Sequence, residues 1–130
     1  MIDSGQESGR DQATPFVDIL TQMNEEGGFQ QSVLVTGEGL PIAAAPDPVK
    51  GESVGALVAL LHQVSRDIQT QLDLRGVNEV TILDDDRIRL VCRGIACQGD
   101  TLILAALVPP DQYYRRVTNR AIRRIRNQLA

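Results

Sequence analysis

The chain is 130 residues long, 42% hydrophobic but only 3% aromatic, with a formal net charge of −4; that is enough for one domain with a real core and too little for two ordinary ones. No run approaches the roughly 20 apolar residues that span a bilayer, and the opening MIDSGQESGRDQ is polar and acidic where a secretory signal is basic and then apolar, so a cytoplasmic protein with no membrane partner is expected. Two cysteines, Cys92 and Cys97, and a single histidine, His62, fall short of the closely paired ligands of a zinc site, so neither a metal nor another cofactor is expected.

The net charge hides a division along the chain. Residues 1–86 hold 4 basic side chains against 15 acidic ones, whereas residues 87–130 hold 9 arginines against Asp100 and Asp111. Two oppositely charged surfaces would favour self-docking or a charged partner; solvated faces at unrelated places are the alternative. Without tryptophan, the core must be built from Leu, Ile, Val and Ala, which suits helices packed on a sheet.

Residues 1–13 are polar, contain Gly5 and Gly9 and lack apolar periodicity, so a flexible tail is expected ahead of a single domain over residues 14–130. Thr14-Pro15 predicts a helix start, a hydroxyl cap followed by proline at the first helical position. Phe16, Ile19, Leu20 and Met23 share one face of that helix, and Gly27-Gly28 ends it. The segment Ser32 to Ala45, SVLVTGEGLPIAAA, is the sharpest local signal: two strands joined through Gly37-Glu38-Gly39. Pro46-Asp47-Pro48 reads as a loop.

From about Gly51 to Leu72 the spacing predicts a long helix, with Val54, Leu57, Leu61, Val64, Ile68 and Leu72 along one side. Val58 and Leu60 fall beside that stripe, and Gly55, Ala56 and Ala59 keep the adjoining surface small. So wide an apolar sector exceeds what one sheet covers. A second packing partner is inferred, most simply the same helix of another copy, with another element of this chain as the alternative.

Three strands follow. Val77 to Leu83 is β-branched and ends at the polar turn Asp84-Asp85-Asp86. Arg87 to Arg93 alternates, with Ile88, Leu90 and Cys92 expected inward and Arg87, Arg89 and Arg93 outward toward water or a partner. Thr101 to Val108 is apolar on both faces, as a central covered strand would be. Pro109-Pro110-Asp111 stops it, and Asp111 is expected to cap a last helix from Gln112 to Leu129. Tyr114, Val117, Ala121, Ile125 and Leu129 form its apolar row, and six arginines occupy much of the remaining circumference.

No stretch supplies a nucleophile beside a base, and no catalytic residue is assigned. Three consecutive aspartates diverge and lack the alternation of a calcium loop, so Asp84 to Asp86 reads as a solvated turn. Cys92 reads as a small core hydrophobe and Cys97 as a strand end. His62, beside the helical stripe, is either a pH-sensitive interface contact or ordinary surface packing. Gly37-Glu38-Gly39 lacks the P-loop lysine and precedes a strand. On the last helix, Arg115, Arg116, Arg120, Arg123 and Arg124 make a charged partner patch. Only Tyr113 and Tyr114 interleave with them, and the whole chain is acidic, so a protein with an acidic patch fits better than nucleic acid.

The run Gly28 to Ala45, the strand pair Val80 to Ile95, the apolar strand Leu102 to Val108 and the arginine-rich helix Arg115 to Leu129 resemble Roadblock-type domains, the dynein light chain Roadblock family, and its bacterial members in particular. The resemblance covers nearly the whole chain from Phe16. It implies an α+β, profilin-like three-layer α/β/α sandwich: a five-stranded antiparallel sheet in the order α-β-β-α-β-β-β-α, the long helix on one face and the first and last helices on the other. It further implies a homodimer built through the long helix and the middle strand, here Val54 to Leu72 and Asn78 to Leu83. The interface residues would be Val54, Leu57, Val58, Leu61, His62, Val64, Ile68, Val80 and Ile82. Bacterial members look like co-regulators of small Ras-like GTPases that bring no catalytic residue in the usual case, and spacing assigns no arginine finger among the 12 arginines. The expected function is therefore a non-catalytic homodimeric scaffold for a small Ras-like GTPase, with no nucleic acid bound. The rivals are a small-molecule-sensing or enzymatic domain with a polar-lined cavity between helix and sheet, and binding of nucleic acid or an anionic surface by the last helix.

Overall fold

The computed structural model describes the backbone of residues 4–130 and the side chains from Thr14 onward. Eight elements follow in order: α1 (Ser4–Gly27), β1 (Gln31–Thr36), β2 (Pro41–Ala45), α2 (Pro48–Gln71), β3 (Glu79–Leu83), β4 (Arg89–Cys97), β5 (Asp100–Val108) and α3 (Arg115–Leu129). The strands form one sheet in the order β2-β1-β5-β4-β3, antiparallel at every pairing. Helices α1 and α3 cover one face and α2 the other, so the expected α+β three-layer architecture is present.

Strand β5 is central and apolar on both faces because both faces are covered. Leu102, Leu104, Ala106 and Val108 point into the larger core, with Leu20 and Met23 of α1 and Ile122 and Ile125 of α3. Ile103 and Ala105 point into the smaller core under α2, with Val33, Val35, Val58 and Cys92. Helix α2 sits very close to the sheet at two glycines. A Cβ on Gly51 would overlap the Ala44 methyl, and one on Gly55 would lie 2.8 Å from Val35 Cγ1. Of Gly55, Ala56 and Ala59, the small residues expected to admit a second copy, Gly55 instead lies against the chain's own sheet, Ala59 is buried beside Gly39 of the hairpin turn, and Ala56 is exposed.

Other local expectations are corrected by local chemistry. Pro46-Asp47-Pro48 is the start of α2, not a loop ahead of it: Asp47 Oδ1 accepts from the N–H groups of Val49 (2.9 Å) and Lys50 (3.2 Å), and Pro48 takes the first helical position. The buried Gln31 amide fastens this cap from below, donating to the Asp47 carbonyl at 2.9 Å and accepting from the Asp47 N–H at 3.2 Å. Pro15 lies inside α1 instead of opening it; its fixed φ is helical, so the helix passes through at the loss of one backbone donor. Of the flexible tail expected over residues 1–13, residues 4–13 are instead helical as the start of α1, and residues 1–3 lie outside the described residues. Asp111 does not cap α3, which begins at Arg115 after Tyr114 without a side-chain cap. Asp111 instead turns at φ +63° and pairs with Arg87 at 3.3 Å.

Because Gly55 is held against Val35, a side chain there should push α2 off the sheet. Gly55→Leu improves helix propensity by about 1 kcal/mol, yet overpacking costs about 1–3 kcal/mol, so urea unfolding should show a lower midpoint at an unchanged slope.

Candidate functional site

Two surfaces emerge, one on each face of the sheet. On the α2 side the apolar sector of the helix divides. Val58 is wholly buried at 0% exposure, and Val54 and Leu61 are half-buried over the same core. Leu57 (60% exposed), Leu60 (57%), Val64 and Ile68 stand on the adjoining flank, open to solvent, and Leu72 and Leu74 extend that flank past the helix end. Val58 therefore has no surface left for a partner, because it lies at the centre of the sheet-facing side. Leu60, which the sequence placed beside the stripe, belongs to the exposed one.

Strand β3 ends the sheet next to this flank. Val80 pairs with Cys92 and Ile82 with Leu90, which places all four on the α2 face. Val80 is half-buried and Ile82 is exposed. The space enclosed between α2, β3 and β4 is only about 20 Å³, room for about one water, whereas the hollows of about 490 and 350 Å³ beside His62 and Arg66 are open grooves along the edge of α2. His62 lies on the other flank of α2, half-buried in an open groove with Glu38, Arg66 and Asp100. Partial burial disfavours its cation and Arg66 adds repulsion, so its pKa lies below the usual value.

On the opposite face, a charged cluster ties α3 to the β3–β4 end of the sheet. Glu79 accepts a hydrogen bond from Tyr114 Oη at 2.8 Å and faces Arg115 at 3.5 Å and Arg93 at 3.9 Å. Arg93 donates to Thr118 Oγ1 at 2.9 Å and to Asn119, and Arg89 lies 5.1 Å from the Tyr114 ring centroid. Arg89 and Arg93 were expected to point at water or a partner. They point at α3 because β4 is an inner strand with both faces covered. Burial, then the charge of Arg115, lowers the Arg93 pKa, and the hydrogen bond to Glu79 raises that of Tyr114.

The five arginines expected as one patch do not share a surface. Arg120 turns to Glu26 of α1 at 2.6 Å, and Arg124 is half-buried outside the groove that Arg115, Arg116 and Arg123 line. Arg93 and Arg126 complete that groove. Arg126 was legible as the helical neighbour of Arg123, three residues on, whereas Arg93 was assigned to the wrong environment.

Among the described residues no group of three or more His, Cys, Asp or Glu could hold a metal ion. Cys92 is buried with its thiol pKa pushed up to about 11 by desolvation, which leaves little thiolate. Among the described residues no helix is long and apolar enough to cross a membrane.

The three-layer sandwich is the architecture expected from the resemblance, and the sequence shows the family: the chain belongs to the Roadblock/LC7 domain family, whose profile matches residues 16–93. That match ends within β4. Solved structures extend the likeness over the remainder. The gliding protein MglB from Thermus thermophilus superposes with a TM-score of 0.75 at 15% identity, covering 90% of each chain. A Roadblock/LC7 domain from Streptomyces avermitilis gives 0.76 at 18% identity, covering 87% of this chain and 96% of its own. MglB in a tetrameric arrangement gives 0.74 at 16% identity, with 90% and 89% covered. No curated protein matches the sequence.

Two measurements test the site. Glu79→Ala leaves the Tyr114 hydroxyl without its acceptor and Arg93 and Arg115 without their carboxylate partner, and should cost about 1–3 kcal/mol in urea unfolding, with Tyr114→Phe costing about 0.5–1.5 kcal/mol. Since the pKa of His62 is lower folded than unfolded, the unfolded chain binds the proton first. Stability should then fall as pH drops through the unfolded value of 6.5 toward the folded one. His62→Gln should flatten that decline in melting temperature between about pH 7.5 and about pH 5.5.

Proposed function

We propose that residues 14–130 form one Roadblock domain that acts as a non-catalytic homodimeric scaffold in the cytoplasm, binding and regulating a small Ras-like GTPase. The observation that carries this reading is the exposed row Leu57, Leu60, Val64 and Ile68 on α2, together with the exposed Ile82 on the α2 face of the terminal strand β3. Large aliphatic side chains at such exposure, gathered on one flank, mark a surface normally covered. A two-fold copy would cover α2 with α2 while the unpaired edges of β3 hydrogen-bond to each other, which removes both the apolar surface and the open strand edge in one contact.

Within that interface Leu57, Leu60, Val64, Ile68 and Ile82 supply the buried area, Val54, Leu61 and Val80 lie at its margin, His62 falls outside it on the other flank of α2, and Val58 acts only by seating the helix. Family membership supports both dimer and GTPase, and the tetrameric arrangement of MglB indicates that this fold associates. A domain of this kind regulates by contact, shaping or blocking the GTPase's own nucleotide site, with no chemistry of its own.

Light scattering at micromolar concentration should give twice the 14.2 kDa chain mass. Leu57→Asp with Leu60→Asp should give the monomer with an unchanged circular dichroism spectrum, since both side chains are exposed in the single chain and become buried unpaired charges only in the dimer. A wild-type protein that stays monomeric overturns the dimer. Mixing with the small Ras-like GTPases encoded in the same genome should show binding to one of them and a changed rate of hydrolysis or nucleotide exchange; neither effect with any of them overturns the GTPase reading.

A further inference from the structure

We infer a second docking site, for an acidic peptide segment of a protein partner, in the groove between α3 and the β3–β4 end of the sheet. It lies on the face opposite to the exposed flank of α2 and does not depend on the dimer or on the GTPase.

The groove holds about 690 Å³ and is open along its length. Arg115, Arg116, Asn119, Arg123 and Arg126 line it from α3 and Arg93 from β4. Among the described residues no acidic side chain lines it. Glu79 is already shared between Arg93 and Arg115, and among the described residues Arg116, Arg123 and Arg126 have no salt-bridge partner. Elsewhere on the C-terminal third Arg87 is compensated by Asp111 and Arg120 by Glu26, Arg89 rests on the Tyr114 ring and the Gln112 carbonyl, and Arg124 lies apart without a salt-bridge partner among the described residues. Five guanidinium groups around one hollow, with a single carboxylate between them, repel one another in the free protein, and an incoming polyanion relieves that repulsion while meeting planar donors suited to paired oxygens.

Spacing favours an extended peptide. Arg115 to Arg126 is 11 residues of helix, about 16 Å at 1.5 Å per residue, the span of about five residues of extended chain. Carboxylates on alternate residues of such a peptide recur about every 6.6 Å, near the 5.4 Å rise of one helical turn. Nucleic acid fits less well, since Tyr113 is the one aromatic lining the groove and stacking would have little to rest on. The net charge of −4 also repels a long polyanion beyond the groove.

The test is fluorescence anisotropy with a labelled peptide of about ten residues carrying glutamate at every second position. Binding should weaken as salt rises from about 50 to about 200 mM. Arg116→Gln with Arg123→Gln should weaken it about tenfold, as loss of two partly screened charge pairs would. Arg87→Gln with Arg124→Gln removes the same charge outside the groove and should leave affinity within about twofold. All four side chains lie outside the buried core, so circular dichroism confirms that each variant folds. Equal losses from the two pairs would reduce the effect to net charge and overturn the site. So would the absence of peptide binding at the lower salt, or tighter binding of a single-stranded or duplex oligonucleotide of equal charge.

Discussion

Helix α2 rests on the sheet without a side-chain spacer at Gly51 and Gly55, and much of the molecule follows from that approach. With Ala44 and Val35 directly beneath the helix backbone, Val58 fills the remaining gap and is fully buried. The approach fixes the rotation of the helix about its axis. Leu57, Leu60, Val64 and Ile68, about a quarter to a third of a turn or more away from Val58, are then carried off the sheet and left in solvent. A larger residue at either glycine would lift or roll the helix and change which apolar row is presented.

The start of α2 is set just as firmly. The Gln31 amide is buried at the first residue of β1, where both of its polar groups must be satisfied, and it uses them on the backbone of Asp47. Asp47 in turn uses its carboxylate on the first free N–H groups of the helix. One buried side chain thus locks the cap, the cap starts the helix, and the glycines one and two turns further on seat it.

The opposite face is organised by charge instead of close packing. Glu79 sits at the beginning of the terminal strand and draws Tyr114, Arg115 and Arg93 toward it, which anchors the N-terminal end of α3 beside β3 and β4. The same carboxylate neutralises only part of the arginine cluster that it gathers, so fold stability and a cationic groove arise from one arrangement. A Roadblock domain with an apolar flank on one face of its sheet and a basic groove on the other has two chemically different surfaces separated by the thickness of the sandwich.

The apolar and polar patterns along the chain were sufficient for the number, type and order of the elements. The β1–β2 hairpin, the doubly apolar β5 and the long helix are all legible from periodicity, because burial on a given face requires apolar residues at that face's spacing. The excess of apolar surface on α2 was legible for the same reason. Periodicity alone does not say where a helix rolls to rest, so the division of that surface between Val58 inside and Leu60 outside came only from the seat on Gly51 and Gly55. Nor does it say which polar residues are partners. Arg93 and Arg89 alternate with apolar neighbours as solvent-facing residues do, and only the packing of α3 over β4 makes them internal. Asp111 stands where a cap would, and only the turn before α3 aims it at Arg87. Local chemistry is written in the sequence because it acts between near neighbours; the interface row and the basic groove are set by contacts between residues tens of positions apart, which exist only once the sheet has formed.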